Sequence, residues 1–228
     1  MSELNSAEKI ISLLKKNRNE KNIEGMVRFG INPESALGIT IVFQRKLAKQ
    51  IGQNHKIAIE LWDSGIHEAR ILATMIDEPD KVTKSQMEKY VNDFNSWDLC
   101  DQCCNNLFWK TSYAIEKSFK WIDNEKEFVR RAGFTMICVL AVHNKQMTNA
   151  DFLKYFPLIE KYSIDERNFV KKAVNWALRQ IGKRNLQLNK EAIKLCKNLI
   201  SSESKSARWI GKDALRELTS EKIIARLS

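Results

Sequence analysis

Two tryptophans, each followed one helical turn later by a charged residue, are the side chains in this sequence best placed to do chemistry. In SWDLCDQCC, Trp97 precedes Asp101 by four residues, and in VNWALRQIGKRN, Trp176 precedes Arg179 by three. Those spacings put both members of a pair on one face of an α-helix. Each helix then presents a flat indole beside one charge, a surface suited to nucleic acid with a lone carboxylate available for chemistry. Arg131, in VRRAGF, is a further candidate, because a guanidinium meets phosphate oxygens in a two-pronged geometry. Arg130 and Arg131 point to different sides of their helix, so at most one of them faces such a surface. The plainer alternatives are a core indole with a solvated carboxylate, and a buried arginine paired with a neighbouring acid. Trp62, Trp109, Trp121 and Trp209 are read as core residues.

The partners of such a surface follow from charge. The 228 residues carry 38 Lys and Arg against 28 Asp and Glu, a formal charge of +10 and a pI near 9.4. That balance favours polyanions. The sequence has no apolar run of the roughly 20 residues needed to span a bilayer. Its N-terminus lacks the basic-then-apolar order of a secretory signal, so a cytoplasmic protein without a membrane partner is expected. Five cysteines, Cys100, Cys103, Cys104, Cys138 and Cys196, are odd in number and irregular in spacing, which argues against a disulfide framework. CDQCC lacks a second ligand pair, so the cysteines are read as buried packing residues, and neither metal nor cofactor is expected.

The elements that must position these residues are helices. Only 8 Gly and 3 Pro occur, and apolar residues recur at helical spacing almost throughout. Helices are predicted over residues 7–16, 41–51, 56–63, 68–76, 85–94, 97–108, 126–141, 152–162, 166–183, 190–200 and 204–218, with Ser96, Thr148, Asn149 and Thr219 as N-caps and a break at DEPD, 77–80. The segment 29–38, FGINPESALG, reads as a structured loop. HEARILATMI, SWDLCDQCC, FVRRAGFTMICVLA, FVKKAVNWAL and SARWIGKDAL echo one another, aligning Arg70, Asp101, Arg131, Lys172 and Trp209 at intervals suited to one helical pair per repeat. In such a solenoid the second helices line one concave face, and matched positions form a stripe. Ordinary ion pairs between helices are the alternative. With no Gly- or Ser-rich hinge in view, residues 1–228 are expected to form a single domain.

SWDLCDQ, FVRRAGF and NWALRQIGKRN resemble the signature segments of the HEAT-like-repeat alkylpurine DNA glycosylases of the AlkD type, and MVRFGINPESALGITIVFQRKLAK is similar to that family's N-terminal segment. The resemblance implies an all-α, right-handed α-solenoid of HEAT-like repeats with a concave basic surface. It also implies a monomer acting on double-stranded DNA that contains alkylated purines. Carried over by position, it makes Asp101 the catalytic carboxylate, Trp97 and Trp176 the residues against the lesion and its sugar, and Arg131 and Arg179 the contacts to the DNA backbone. Phe29 stands where active members of the family carry a tyrosine, so a ring is kept and a hydroxyl lost. The implied reaction is hydrolysis of the N-glycosidic bond of cationic N3- or N7-alkylpurines, without a deep base-flipping pocket. A non-catalytic, damage-recognising solenoid of the same family is the alternative, and a protein-binding helical scaffold a more distant one.

Overall fold

Single polar side chains begin most of the helices in this protein. In the computed structural model, which describes residues 4–227, the side chains of Ser6, Asn19, Thr40, Asn54, Thr83, Asn185 and Ser204 each accept the backbone N–H three residues on, and Thr148 forms a reciprocal capping box with Asp151. Each such cap satisfies an otherwise orphaned donor and is worth about 1 kcal/mol. The segments between them are α1 (Ala7–Lys16), α2 (Glu20–Arg28), α3 (Ile41–Ile51), α4 (His55–Asp63), α5 (His67–Ile76), α6 (Lys84–Asn92), α7 (Trp97–Asn106), α8 (Ala114–Ile122), α9 (Glu127–His143), α10 (Asn149–Leu153), α11 (Phe156–Tyr162), α12 (Asn168–Gly182), α13 (Leu186–Ile200), α14 (Lys205–Leu218) and α15 (Glu221–Leu227). Short 3-10 turns at Pro79–Lys81 and Phe108–Lys110 complete the regular structure, and no strand occurs among the described residues.

The chain packs as two compact units, Met1–Ala114 and Ile115–Ser228. In the first, α5 is the central helix and touches α1, α3, α4 and α7. In the second, α12 holds that place, against α9, α11, α13 and α14. Within each unit the later helix of each pair therefore stacks on its counterpart, α3 on α5 on α7 and α9 on α12 on α14. This is the contact pattern of helical repeats. The first core is built around stacked Trp62 and Tyr90, whose ring centroids lie 3.6 Å apart, with Phe94 and Phe108 beside them. In the second, Gly133 lets α9 approach α8 so closely that an added Cβ would lie 2.6 Å from the Ile122 nitrogen.

The differences from the predicted helices are local. The segment 20–28 is helical, as are 114–122 and 221–227, and the predicted helix over 152–162 divides into α10 and α11. Thr219 ends α14 rather than beginning a helix: its hydroxyl donates to the Leu215 carbonyl at 2.8 Å. All five cysteines are buried free thiols. Trp62 and Trp121 are core residues as expected, but Trp209 is 40% exposed, with the Lys171 ammonium 5.1 Å from its ring. No helix among the described residues is long and apolar enough to cross a membrane.

Candidate functional site

The inward side of α7 carries Leu99, Cys100, Cys103 and Cys104, all fully buried. Trp97 and Asp101, four residues apart, are left half-buried at the surface of the first unit, as their spacing predicts. The Trp97 indole is held in place: its Nε1–H donates to the Phe29 carbonyl at 2.9 Å. Phe29 closes α2 and is 72% exposed. The structure thus ties Phe29 to Trp97 through a backbone atom and leaves the residue itself at the surface.

That link depends on the loop after α2, whose anchor is a residue the sequence reading passed over. The buried carboxylate of Glu68, on α5, accepts the N–H groups of Leu37 and Gly38 at 2.7 Å each and of Ile39 at 3.2 Å. The Asn22 amide holds the Gly38 carbonyl at 2.7 Å. Position 38 requires glycine, with φ of +72° and an imagined Cβ only 2.2 Å from the Asn19 oxygen. Next to Glu68, the buried His67 places Nε2 2.8 Å from Asp98 Oδ2. Burial pushes the Asp98 carboxyl up, but the bond to His67 and the attraction of that ring prevail and hold it below its ordinary range. A His-Glu pair at a helix start was the only local signal for these partners, which lie about thirty residues away in sequence.

Arg131, Trp176 and Arg179 belong to the second unit. Arg131 is 5% exposed and donates from Nη1 to the Phe169 carbonyl at 2.6 Å, joining α9 to α12. Its neighbour Arg130 reaches the Ile122 carbonyl through Nε at 3.1 Å and Asp165 through Nη1 at 2.7 Å, with its guanidinium 4.4 Å from the Tyr162 ring centroid. Arg70 of the first unit does the same eight residues back, Nε to the Trp62 carbonyl at 3.3 Å, with Asp93 and the Trp62 ring as its partners. The structural counterpart of Arg70 is therefore Arg130, one residue from the aligned Arg131, and these two arginines form ion pairs rather than a stripe.

Trp176 lies half-buried on α12. One turn on, Arg179 bonds Glu217 at 2.5 Å and lies 3.9 Å from Asp213, and Lys183 holds the other Glu217 oxygen at 2.6 Å. Arg179 thus keeps a position near the surface, with carboxylates of α14 as its partners. Among the described residues no three His, Cys, Asp or Glu side chains gather as a metal site would require.

The model of a family described as DNA alkylation repair enzyme matches residues 10–218. No curated protein matches the sequence. A solved structure described as "a new family of proteins related to the HEAT-like repeat DNA glycosylases with affinity for branched DNA structures" superposes with a TM-score of 0.78, covering 93% of this chain and 95% of its own at 18% sequence identity. At that identity the likeness establishes the fold, an all-α arrangement of HEAT-like repeats.

Proposed function

The chain belongs to the DNA alkylation repair enzyme family, and on that premise we propose that it hydrolyses the N-glycosidic bond of cationic N3- or N7-alkylpurines in duplex DNA. The observation that carries this reading is the outer face of α7, where Asp101 stands one turn from an indole fixed by the Phe29 carbonyl. Cleavage passes through an oxocarbenium-like sugar, and the Asp101 carboxylate stabilises its developing charge and orients a water. The water oxygen bonds to the anomeric carbon and gives up its proton to the Asp101 carboxylate, the purine nitrogen departs with the bonding pair, and an abasic site remains. A purine already alkylated at N3 or N7 leaves as a neutral base, so no second acid is needed. Electron-rich indole faces of Trp97 and Trp176 attract the cationic nucleotide. The lesion is read against these faces, with no deep pocket for it at Asp101. Arg179 is the proposed backbone contact, exchanging Glu217 for phosphate, and Arg131, buried against the Phe169 carbonyl, would join it only by giving up that bond.

Release of free methylated purine from methylated duplex DNA at low salt tests this. Wild type is expected to release base and Asp101→Asn to bind the duplex without doing so; equal turnover by the variant removes Asp101 from the mechanism. The second reading, a DNA-binding protein without turnover, draws on the departure at Phe29 and on the internal partners of Arg131 and Arg179. The affinity of the structurally similar protein for branched DNA makes branched substrates the natural comparison. Binding without release by wild type selects this second reading.

A further inference from the structure

In the second unit, a cavity of about 380 Å³ is walled by the C-terminal ends of α9 and α12, by the turn at Asn185 and by Arg226 of α15. Four cations line it, Lys145, Lys183, Arg184 and Arg226, and no carboxylate does. Gln180 and Lys183 stand four residues beyond Trp176 and Arg179 on α12, the spacing of a shared helix face. The cavity therefore lies one turn past the proposed DNA contacts of that helix.

Cations at helix C-termini have an ordinary use, which is to satisfy orphaned carbonyls. Arg184 does so through Nη1 to the Ala141 and Asn144 carbonyls at 2.6 and 3.2 Å and through Nη2 to Met147 at 3.3 Å. Lys145 donates to the Val142 carbonyl at 2.9 Å, and Arg226 to that of Lys183 at 2.8 Å. Capping leaves charge over. A helix C-terminus carries roughly half a negative charge, so α9, α12 and the Glu217 carboxylate bonded to Lys183 offset about half of the four positive charges. Glu217 is moreover shared with Arg179.

Arg184 is where the surplus is held. Its guanidinium is fixed by three carbonyls and lies 4.4 Å from the Phe152 ring centroid, with no carboxylate partner among the described residues. Burial without a counter-ion lowers its pKa from the ordinary guanidinium value. Lys145 and Arg226 are exposed, and one carbonyl apiece leaves each with further N–H donors. A fixed guanidinium flanked by such donors matches the oxygens of a phosphate.

We infer that this cavity holds a backbone phosphate of DNA, as an anchor beyond the Trp176 face that takes no part in base release. The choice of a DNA strand as the source rests on the DNA reading above; a free phosphate is the other source, and two arms separate them. An unmethylated duplex is titrated by fluorescence anisotropy over a series of salt concentrations, and inorganic phosphate is titrated by calorimetry at constant ionic strength. Lys145→Gln/Arg226→Gln, which keeps hydrogen-bond donors and removes two charges, is expected to weaken duplex binding about tenfold and to make its salt dependence shallower by about two counterions. Lys145→Arg/Arg226→Lys is expected to restore both. Lys194→Gln/Lys197→Gln removes the same charge from the exposed side of α13, three turns from Asn185, and is expected to change neither. Equal losses in the two neutralised pairs, or an unchanged duplex affinity and salt slope in the first, overturn the strand-borne anchor. Saturable phosphate binding that only the first pair abolishes, with duplex binding unchanged, assigns the cavity to a free anion instead. A wild-type protein that binds no duplex counts against the DNA reading itself, and the phosphate arm then decides the cavity alone.

Discussion

At the scale of single residues, the Phe29–Trp97 link divides labour between a backbone and a ring. The carbonyl of Phe29 fixes the indole, while the residue itself, 72% exposed, adds little to the core. Phe29→Ala should therefore leave the melting temperature unchanged and weaken DNA binding about tenfold, the magnitude of one lost stacking contact. Unchanged affinity in a binding titration would remove Phe29 from the interface. The pairing of Trp97 with Asp101 on one face was legible from spacing, because it depends on helical geometry alone. Their long-range supports were not: beyond a His-Glu pair at a helix start, nothing around Glu68 in the sequence indicates that its carboxylate will collect three N–H groups from residues 37–39. Arg130 and Arg131 show the same limit from another side. They are chemically identical neighbours, and only the register of α9 against α8 and α12 decides which one meets Asp165 and which the Phe169 carbonyl.

At the scale of elements, the helices that were legible are those with long apolar periodicity or a strong cap, such as α9, α12 and the capped α14. The nine-residue α2 and α8 were missed although both are strongly amphipathic; in α2, Gly25 and Asn22 lower the intrinsic propensity. The split of the predicted 152–162 helix into α10 and α11 follows Pro157, which stands in the first turn of α11, where a missing N–H is harmless. Close approach between helices is equally hidden in sequence until two backbones are side by side. Gly133→Ala would force α9 away from the Ile122 backbone, and urea unfolding should show a loss of about 1–3 kcal/mol. A variant as stable as wild type would mean that α8 can shift without cost.

At the scale of the whole molecule, the all-α class and the repeated stacking of later helices were legible from periodicity and from the faint internal echo, while the boundary between the two packed units at Ala114 carried no compositional mark. The basic excess that suits a polyanion leaves the fold dependent on its few buried carboxylates. Burial opposes ionisation of Asp165, yet its bonds to Arg167 and Arg130 outweigh that and lower its pKa to about 2. A carboxyl depressed in the folded state contributes stability that is complete above its unfolded pKa, near 4, and is lost as pH falls toward 2. The contribution is roughly 2 kcal/mol. Thermal melts between pH 5 and 2.5 should show wild type losing stability more steeply than Asp165→Asn, and parallel curves would assign acid sensitivity to other groups. The thiols record stability in a different way. All five are buried, and burial pushes Cys103 and Cys104 well above the ordinary thiol range and Cys196 up to about 12. A thiol reagent therefore finds no access to any of the five, and no thiolate at these three, until the surrounding structure opens. Cys100, Cys103 and Cys104 sit on α7 of the first unit, and Cys138 and Cys196 on α9 and α13 of the second. The rate at which each group is labelled is then a clock for its own unit, so one time course, read by mass, reports which half of the molecule opens first.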